Sequence, residues 1–453
     1  MLVALLIPCI ASAAPFFERL QTELREDPRA TSASLRRPDG PLATAWPETR
    51  GDLEGAPVYV VDVDVQSTFL RFDLVASWTN PSAEPVGSLQ LRWPAEALGA
   101  YAPLYSVEGG TARVDKDLLW LDLDAPLAPG DTAVVRLRGA VHPGSFTERQ
   151  WRLGQVADGY IAAAWLPHFA HHDGKRWDPV PMAPVGDPTA PIAGVFLARL
   201  IPSDERPLQL VHPGVRLVDD GEQVVLAAVG ARELSLGVLG ASWQAVTTDD
   251  VRLWFRGASP TPEWRAQTLQ TYRDRMTEWM GPLSFGRLEA IASAETGRGT
   301  ELSGMVLLPA DNISCLVDAH EVAHMWWYGE AGTAAVAEPW LDETLTTWFT
   351  TRLCPSYRDG LYDWAVKQEQ VAIDRSAHDL GEDWTRLYTH GPWFWDALDR
   401  PELDRFLRGV IRENRWKIVD GGVVRKQLEE RMGAGPVNTA WENWMKGNWE
   451  TSP

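Results

Sequence analysis

The sequence predicts a multidomain α+β protein, in which an N-terminal antiparallel β domain precedes a mainly helical domain. The chain has 453 residues, enough for two or three domains with cores of their own. From Val58 to about Val246, short runs of β character alternate with turn signals. From Pro262 onward the apolar spacing becomes helical and stays mainly helical to the end.

The first residues are typical of an export signal. Leu2–Ile10 is an apolar run too short to cross a bilayer, and Ala11-Ser12-Ala13 fits a cleavage site. We therefore expect an exported protein, periplasmic or secreted. Lipoprotein anchoring at Cys9 is disfavoured because a proline precedes that cysteine. No other stretch resembles a membrane span, so we expect no transmembrane segment in the mature chain.

These patterns divide the chain into four segments. Residues 1–13 are the predicted signal peptide and residues 14–55 are a polar lead-in rich in proline and arginine. Residues 56–248 form the predicted β domain, and residues 249–453 form the predicted helical domain. Strands of the β domain are predicted at Val58–Val65, Phe69–Trp78, Leu118–Leu123, Ala133–Leu137 and Gln223–Val229.

The charge of the chain argues against two classes of partner. The formal net charge is −20, so nucleic acid and anionic membrane surfaces would be repelled. The apolar share of 45% and the charged share of 23% are ordinary for a globular protein. Composition alone therefore leaves enzymes and protein-binding modules open.

The most informative motif is His320-Glu321-Val322-Ala323-His324, whose residue types are those of a metal site. The sequence predicts a helix from Leu316 to Tyr328, with Ser314 as its N-cap and Gly329 as its end. Because positions i and i+4 share a helix face, both imidazoles can reach one metal ion.

A second predicted helix supplies a third ligand. It begins at Pro339 and must end before Pro355. Glu343 lies in its first turn and shares a face with Thr347 and Thr350. A helical hairpin of this kind can bring Glu343 against the histidine pair.

These residue types predict one catalytic Zn²⁺ per chain, held by His320, His324 and Glu343. Three protein ligands leave a fourth zinc position for water, whose pKa the metal lowers to about 7. Glu321 is then the general base that takes a proton from this water. A closed structural site would need a fourth ligand, and no Cys or His stands at a suitable spacing.

The block HEVAHMWWYG followed by WLDET resembles the aminopeptidase N family of zinc metallopeptidases. The resemblance implies a thermolysin-like catalytic domain, in a short form that lacks the family's C-terminal helical domain. It implies that His320, His324 and Glu343 bind zinc, that Glu321 is the base, and that a peptide or protein is the substrate. Tyr388, in Tyr388-Thr389-His390-Gly391, matches the tyrosine that stabilises the oxyanion.

Two departures from the family pattern matter, the first for specificity and the second for zinc affinity. The family's strand that binds the peptide and holds its α-amine by a glutamate is matched here by Ser303, Gly304 and Met305, followed by Val306. Glu301 and Glu295 are nearby carboxylates, although a solvated role is the commoner one for such positions.

The second departure is Thr350, which stands where the family has an acidic residue that orients a ligand histidine. Thr347 and Thr350 are therefore the hydroxyls expected to support the zinc ligands, more weakly than a carboxylate would.

Three hypotheses of function remain open at this point. The first is a zinc-dependent aminopeptidase that holds the amine by other means. The second is an oligo- or endopeptidase of the same clan, favoured by Val306. The third is a non-catalytic module that binds peptides in a zinc-stabilised cleft.

Export would leave Cys315 and Cys354, at the outer ends of the two zinc-binding helices. A disulfide between them would clamp the ligand hairpin in an oxidising compartment. The sequence leaves open whether these helix ends meet.

Overall fold

A computed structural model gives the fold of residues 13–147, 151–178, 180–183, 191–204, 206–257, 261–369, 371–398 and 401–448. The predicted signal peptide, apart from Ala13, and Cys9 lie outside these residues. The predicted α+β class is confirmed, because strands dominate the first half of the chain and helices the second.

The lead-in segment folds against the β domain. It contains helices α1 (Ala13–Glu26) and α2 (Pro28–Leu35) and a 3₁₀ turn at Ala43–Ala45. Phe17, Leu20 and Leu24 repeat at helical spacing and are buried against Val58 and Val60 of the first strand. Burial of this apolar stripe holds the lead-in on the outer face of the sheet.

The β domain is built from short strands whose residues alternate between two faces. Val61 and Val63 point into the main core of this domain, whereas Val58 and Val60 point to the lead-in helices. The strands described here are β1 (Val58–Val65), β2 (Leu70–Thr79), β3 (Val86–Arg92), β4 (Leu104–Glu108), β5 (Thr111–Asp115), β6 (Leu118–Leu127), β7 (Thr132–Val141), β8 (Leu153–Val156), β9 (Gly159–Ala162), β10 (His168–Phe169), β11 (Gly194–Pro202), β12 (Gln209–Val211), β13 (Val215–Asp219), β14 (Val224–Ala231) and β15 (Leu236–Leu239).

These strands form three sheets. The largest has the order β13-β14-β11-β1-β2-β7-β4, and two four-stranded sheets have the orders β10-β3-β6-β5 and β12-β15-β9-β8. Among the described pairs most neighbours are antiparallel, as predicted, but β1 and β11 run parallel. The two strands are far apart in sequence, so alternation alone does not predict this pairing.

A five-stranded sheet supports the second half of the chain. Its strands are β16 (Trp243–Thr247), β17 (Val251–Arg256), β18 (Leu288–Ser293), β19 (Thr300–Leu302) and β20 (Met305–Pro309), in the order β16-β17-β18-β20-β19. Helix α3 (Pro262–Met280) connects the parallel strands β17 and β18. Strand β16 precedes residue 249 but pairs with β17.

Mainly helices follow the five-stranded sheet. They are α4 (Cys315–Ala323), α5 (Trp340–Leu353), α6 (Pro355–Ala365), α7 (Ala377–Leu380), α8 (Thr385–Thr389), α9 (Gly391–Asp396), α10 (Pro401–Glu413), α11 (Gly421–Met432) and α12 (Ala434–Ala440). Two short strands, β21 (Gly332–Thr333) and β22 (Ile418–Val419), pair in parallel. Within the described residues, every helix is too short or too polar to cross a lipid bilayer.

Candidate metal centre and peptide cleft

Helix α4 carries His320, has His324 as its C-cap and is shorter than predicted. It begins after Ser314, as expected, but ends at Ala323 rather than Tyr328. Beyond it, the amides of Gly329 and Glu330 bond to carbonyls five residues earlier, and Tyr328 has a φ of 149°. The chain therefore leaves the helix in a wide turn immediately after the second histidine.

The three predicted ligands converge on one point. The Nε2 atoms of His320 and His324 lie 3.0 Å apart, and Oε2 of Glu343 lies 3.2 Å from the first and 3.6 Å from the second. Packing of α4 against α5 brings the first turn of α5 to the histidine face. Two imidazole nitrogens and a carboxylate oxygen at this spacing form a donor set that suits zinc.

Hydrogen bonds at the far side of each ring fix the imidazole tautomers. The Thr347 hydroxyl donates to the Glu343 carbonyl at 2.7 Å, so it accepts from Nδ1 of His320 at 3.4 Å. Nδ1 of His324 lies 3.2 Å from the Trp327 carbonyl, which can only accept. Both rings therefore carry a proton on Nδ1, so Nε2 is the nitrogen that each ring can offer to a metal.

Thr350 does not contact either imidazole through a hydrogen bond of the described residues. Its buried hydroxyl donates to the Thr346 carbonyl at 2.7 Å, within its own helix. Of the two hydroxyls expected to support the ligands, the structure therefore brings Thr347 to an imidazole, and the Trp327 carbonyl serves the other ring.

The electrostatics of the site favour a cation. Burial alone would lower the pKa of His324, but the carboxylates of Glu301 and Glu343 raise it to about 10. Burial would raise the pKa of Glu343, yet hydrogen bonds from both imidazoles bring it well below its ordinary range. A divalent metal ion fits a pocket that holds extra positive charge this strongly.

Glu321 faces the same pocket. Its side chain is buried, and among the described residues its Oε2 atom has no hydrogen-bond partner. Burial, followed by the neighbouring Glu301 carboxylate, raises the pKa of Glu321 well above the ordinary value. A buried polar atom without a partner is costly, so its persistence indicates a group that water or a ligand must satisfy.

Tyr388 lies on the other side of the ligands. Its hydroxyl donates to Oε1 of Glu343 at 3.3 Å and accepts from the Trp384 indole at 2.9 Å. The ring centroids of Tyr388 and His320 are 5.5 Å apart. The phenol is thus held at the metal site by two partners.

The strand at the edge of the five-stranded sheet is β19 rather than the segment that begins at Ser303. Strand β20 pairs with β18 on one side and β19 on the other, so its backbone is already engaged. The Met305 side chain lies in an apolar cluster, and the Ser303 hydroxyl accepts from the Arg232 amide at 3.0 Å. Ser303 and Gly304 form the turn between β19 and β20, and among the described residues the outer side of β19 has no strand neighbour.

The same register places a carboxylate in the cleft. Glu301 pairs directly opposite Val306, and its oxygen lies within 4.8 Å of ligand atoms of Glu321 and His324. Sequence reasoning underrated this residue as a solvated one. The signal that could have found it is Ser303-Gly304, a two-residue hairpin turn in which Gly304 has a φ of 71°.

A disulfide joins Cys315 and Cys354, with their Cα atoms 6.1 Å apart. Cys315 opens α4 and Cys354 follows the last residue of α5. The helix ends that the sequence left undecided do meet, and the covalent bond fixes the two ligand-bearing helices to each other.

No protein-family model matches this chain, and no curated protein sequence does. Solved structures are similar in fold. The M1 zinc metallopeptidase from Deinococcus radiodurans matches with a TM-score of 0.63 and 16% identity, over 88% of this chain and 95% of that one. A variant of the M1 zinc metallopeptidase from that organism, bound to a Tyr-Ser-Ala substrate, gives a TM-score of 0.65 at 16% identity and the same coverage.

A second neighbour comes from another organism. Native yeast LTA4 hydrolase matches with a TM-score of 0.64 and 12% identity, over 88% of this chain and 69% of that one. At such identities the likeness shows the fold and nothing finer. The chain has the fold of the M1 zinc metallopeptidases.

Proposed function

We propose that this protein is a zinc-dependent metallopeptidase that hydrolyses peptide bonds, with aminopeptidase-like specificity. The observation that carries the proposal is the convergence of His320, His324 and Glu343 beside the unpartnered oxygen of Glu321. Together these groups provide a metal site and a base on one face of a cleft.

His320, His324 and Glu343 would hold zinc through the two Nε2 atoms and one carboxylate oxygen. When bound, zinc supplies a Lewis acid that lowers the pKa of water and polarises a carbonyl. Glu321 takes the proton of the attacking water on its free oxygen and then delivers it to the leaving amine. The Tyr388 hydroxyl can rotate from Glu343 to donate to the oxyanion that develops on the substrate carbonyl.

The edge strand β19 supports peptide binding. Its outer side has no strand neighbour among the described residues, so an extended peptide can pair with its backbone. A peptide paired in this way would lie alongside Glu301 and extend to the metal site.

A local excess of negative charge supports recognition of a free amine. Glu301 and Glu233 share one guanidinium, that of Arg152, in a largely buried network. Two carboxylates with one cation leave one negative charge, which the α-ammonium of a peptide would neutralise. The absence of a carboxylate at Val306, which favoured an oligo- or endopeptidase, is offset by Glu301 on the neighbouring strand.

The first experiment compares Glu321→Gln with the parent protein. Removal of the base should leave zinc content unchanged and lower kcat by about 10²- to 10⁴-fold. Unchanged turnover in this variant would overturn the mechanism.

A peptide with a free N-terminus and its N-acetylated twin then separate the three functions. Loss of cleavage on acetylation supports the aminopeptidase, whereas equal cleavage supports the endopeptidase. Cleavage of neither peptide by the zinc-loaded protein supports a non-catalytic module.

We also propose that the protein is exported, to the periplasm or the medium. The Cys315–Cys354 disulfide supports it, because such bonds persist in oxidising compartments. Cell fractionation, with N-terminal sequencing of the mature chain, tests it.

A further inference from the structure

Arg152 is a buried cation that the β domain contributes to the metal cleft. It immediately precedes β8, and its side chain is 3% exposed. The guanidinium forms an ion pair with Glu301 and lies 3.5 Å from Oε1 of Glu233. It also donates to the Tyr328 hydroxyl at 3.4 Å, and its Cζ atom lies 5.3 Å from the centre of that ring.

This network joins three parts of the fold around one carboxylate. Glu233 belongs to the β domain, Glu301 to the edge strand, and Tyr328 to the turn after α4. The Tyr328 hydroxyl donates to Glu233 at 3.2 Å, so Glu233 is satisfied from two sides. Glu301, in contrast, is 12% exposed, so it is the member of the network that reaches the cleft.

Glu301 is also close enough to interfere with the metal. Its oxygen, an oxygen of Glu321 and a nitrogen of His324 lie within 4.8 Å of one another, a spacing that could itself hold a metal ion. A carboxylate free to turn would compete for the open position that catalysis requires. The ion pair with Arg152 engages one oxygen of the Glu301 carboxylate from the side of the β domain, so this carboxylate is not free to turn.

We propose that Arg152 is a positioning residue that reserves Glu301 for the α-ammonium of the substrate and keeps that carboxylate off the metal. This inference rests on the proposed peptidase function. It assigns part of the specificity to the β domain, which supplies the guanidinium although the metal ligands lie in the other half of the chain. Planar, bidentate donation suits the role, because one guanidinium can contact Glu301 and Glu233 together.

The test uses the full-length zinc-loaded protein and the variants Arg152→Met, Arg152→Lys, Glu301→Gln and the double variant Arg152→Met/Glu301→Gln. Arg152→Met should raise KM for a free-amine peptide by about 10- to 100-fold, the loss expected for a charge-assisted contact. It should also lower kcat, because Glu301 then reaches the metal. Adding Glu301→Gln should restore kcat but not KM, which a merely structural role would not produce.

Two measurements do not depend on turnover. Calorimetry should show that the parent protein binds a free amino acid more tightly than its N-acetyl derivative, and that Arg152→Met binds both equally. In the cobalt-substituted protein, Arg152→Met should change the visible spectrum as a carboxylate joins the metal, and the double variant should restore it. Arg152→Lys should give a calorimetric preference and a cobalt spectrum that are intermediate between those of the parent protein and Arg152→Met.

Arg92→Met is the matched control, because it removes a guanidinium that is 4% exposed and paired with Asp117 within the β domain. Arg92→Met should lower the free energy of unfolding and leave the preference for a free amine over its N-acetyl derivative unchanged. Folded Arg152→Met or Arg152→Lys with the parent KM and selectivity would overturn the inference alone. A zinc-loaded parent that cleaves no peptide overturns the proposed function, and the inference with it.

Discussion

Gly299 lets the edge strand approach α4 at the residue expected to act as the base. A Cβ atom built on Gly299 would overlap the carboxylate and Cγ of Glu321. Any larger residue at this position must displace Glu321, because the atoms it meets are buried in a packed cleft. The glycine is thus needed for the close approach rather than for its backbone conformation.

Gly299→Ala should therefore lower kcat by moving Glu321, with zinc content unchanged because no ligand is touched. We expect a loss of about 10²-fold or more, the lower range for removal of a general base. Gly297→Ala is the control, since a Cβ on Gly297 meets no atom within 4 Å. Equal activity of the two variants would show that Glu321 does not need its observed position.

Tyr388 offers a second test at the level of a single hydroxyl. Tyr388→Phe keeps the ring against His320 and removes the donor that would face the oxyanion. Because this contact strengthens only in the transition state, kcat should fall by about 10²-fold with KM little changed. Tyr357→Phe, at a residue that is 44% exposed, should have no effect. A rise in KM alone would instead assign Tyr388 to ground-state binding.

Among the elements, the β19–β20 hairpin shows what the sequence could and could not predict. The family resemblance places a strand at Ser303, Gly304 and Met305, followed by Val306, whereas the strand in the structure begins at Met305 and ends at Pro309. The three residues of its partner β19 carry too little pattern to be recognised in the sequence, so the edge position of β19 is not predicted. The Ser303-Gly304 turn was the available signal, and it would have placed Glu301 opposite Val306.

The helices were predicted more reliably than their ends. Helix α3 spans Pro262–Met280, as its apolar spacing predicts. Helix α4 ends before Tyr328 because the carbonyls of Val322 and Ala323 bond to amides three residues later. Beyond them, the His324 carbonyl bonds to the Gly329 amide, and the Trp327 carbonyl lies against Nδ1 of His324. Local bonds of this kind, between residues three to five apart, override helix propensity and are not visible in the sequence pattern.

The disulfide between α4 and α5 leads to a prediction at the scale of these elements. It closes a loop of sequence separation 39, which in the chain-entropy account stabilises the fold by about 4 kcal/mol. Replacing Cys315 and Cys354 together by serine should lower the free energy of unfolding by an amount of this order. The loss of the clamp should also speed zinc release to a chelator.

Denaturant unfolding and a chelator competition assay measure these two effects. Reduction and alkylation of the parent protein should reproduce both. Zinc release at the parent rate from the serine variant would show that packing alone holds the two helices together.

At the scale of the whole molecule, the contacts between the β domain and the helical half lay beyond sequence reasoning. Arg152 and Glu301 are separated by 149 residues, and no periodicity connects them. Arg232 likewise donates to backbone carbonyls of Pro191 and Lys417, from both halves of the chain. Motif spacing, in contrast, predicted the histidine pair and Glu343 correctly as neighbours, since one helical hairpin fixes them.

Metal removal should lower the stability of the whole molecule, because the expected ligands come from two helical segments. Their supporting groups lie on α5 (Thr347) and in the turn after α4 (the Trp327 carbonyl). Without a cation, burial and Glu343 raise the pKa of Asp342 to about 7, and Glu321 and Glu301 face each other in the pocket. Zinc binding would offset this repulsion. At a free zinc concentration a thousand times the Kd, binding stabilises the native state by about 4 kcal/mol.

Chelation should therefore lower Tm reversibly, and added zinc should restore it in proportion to the logarithm of its concentration. Glu343→Gln should lose this dependence because it removes an expected ligand. Glu301→Gln should retain it if, as we propose, the ion pair with Arg152 keeps Glu301 off the metal. The two substitutions remove the same charge from the same cleft, so a difference between them separates coordination from general electrostatics. An equal loss in both would place Glu301 among the metal ligands and contradict the assignment of His320, His324 and Glu343 alone.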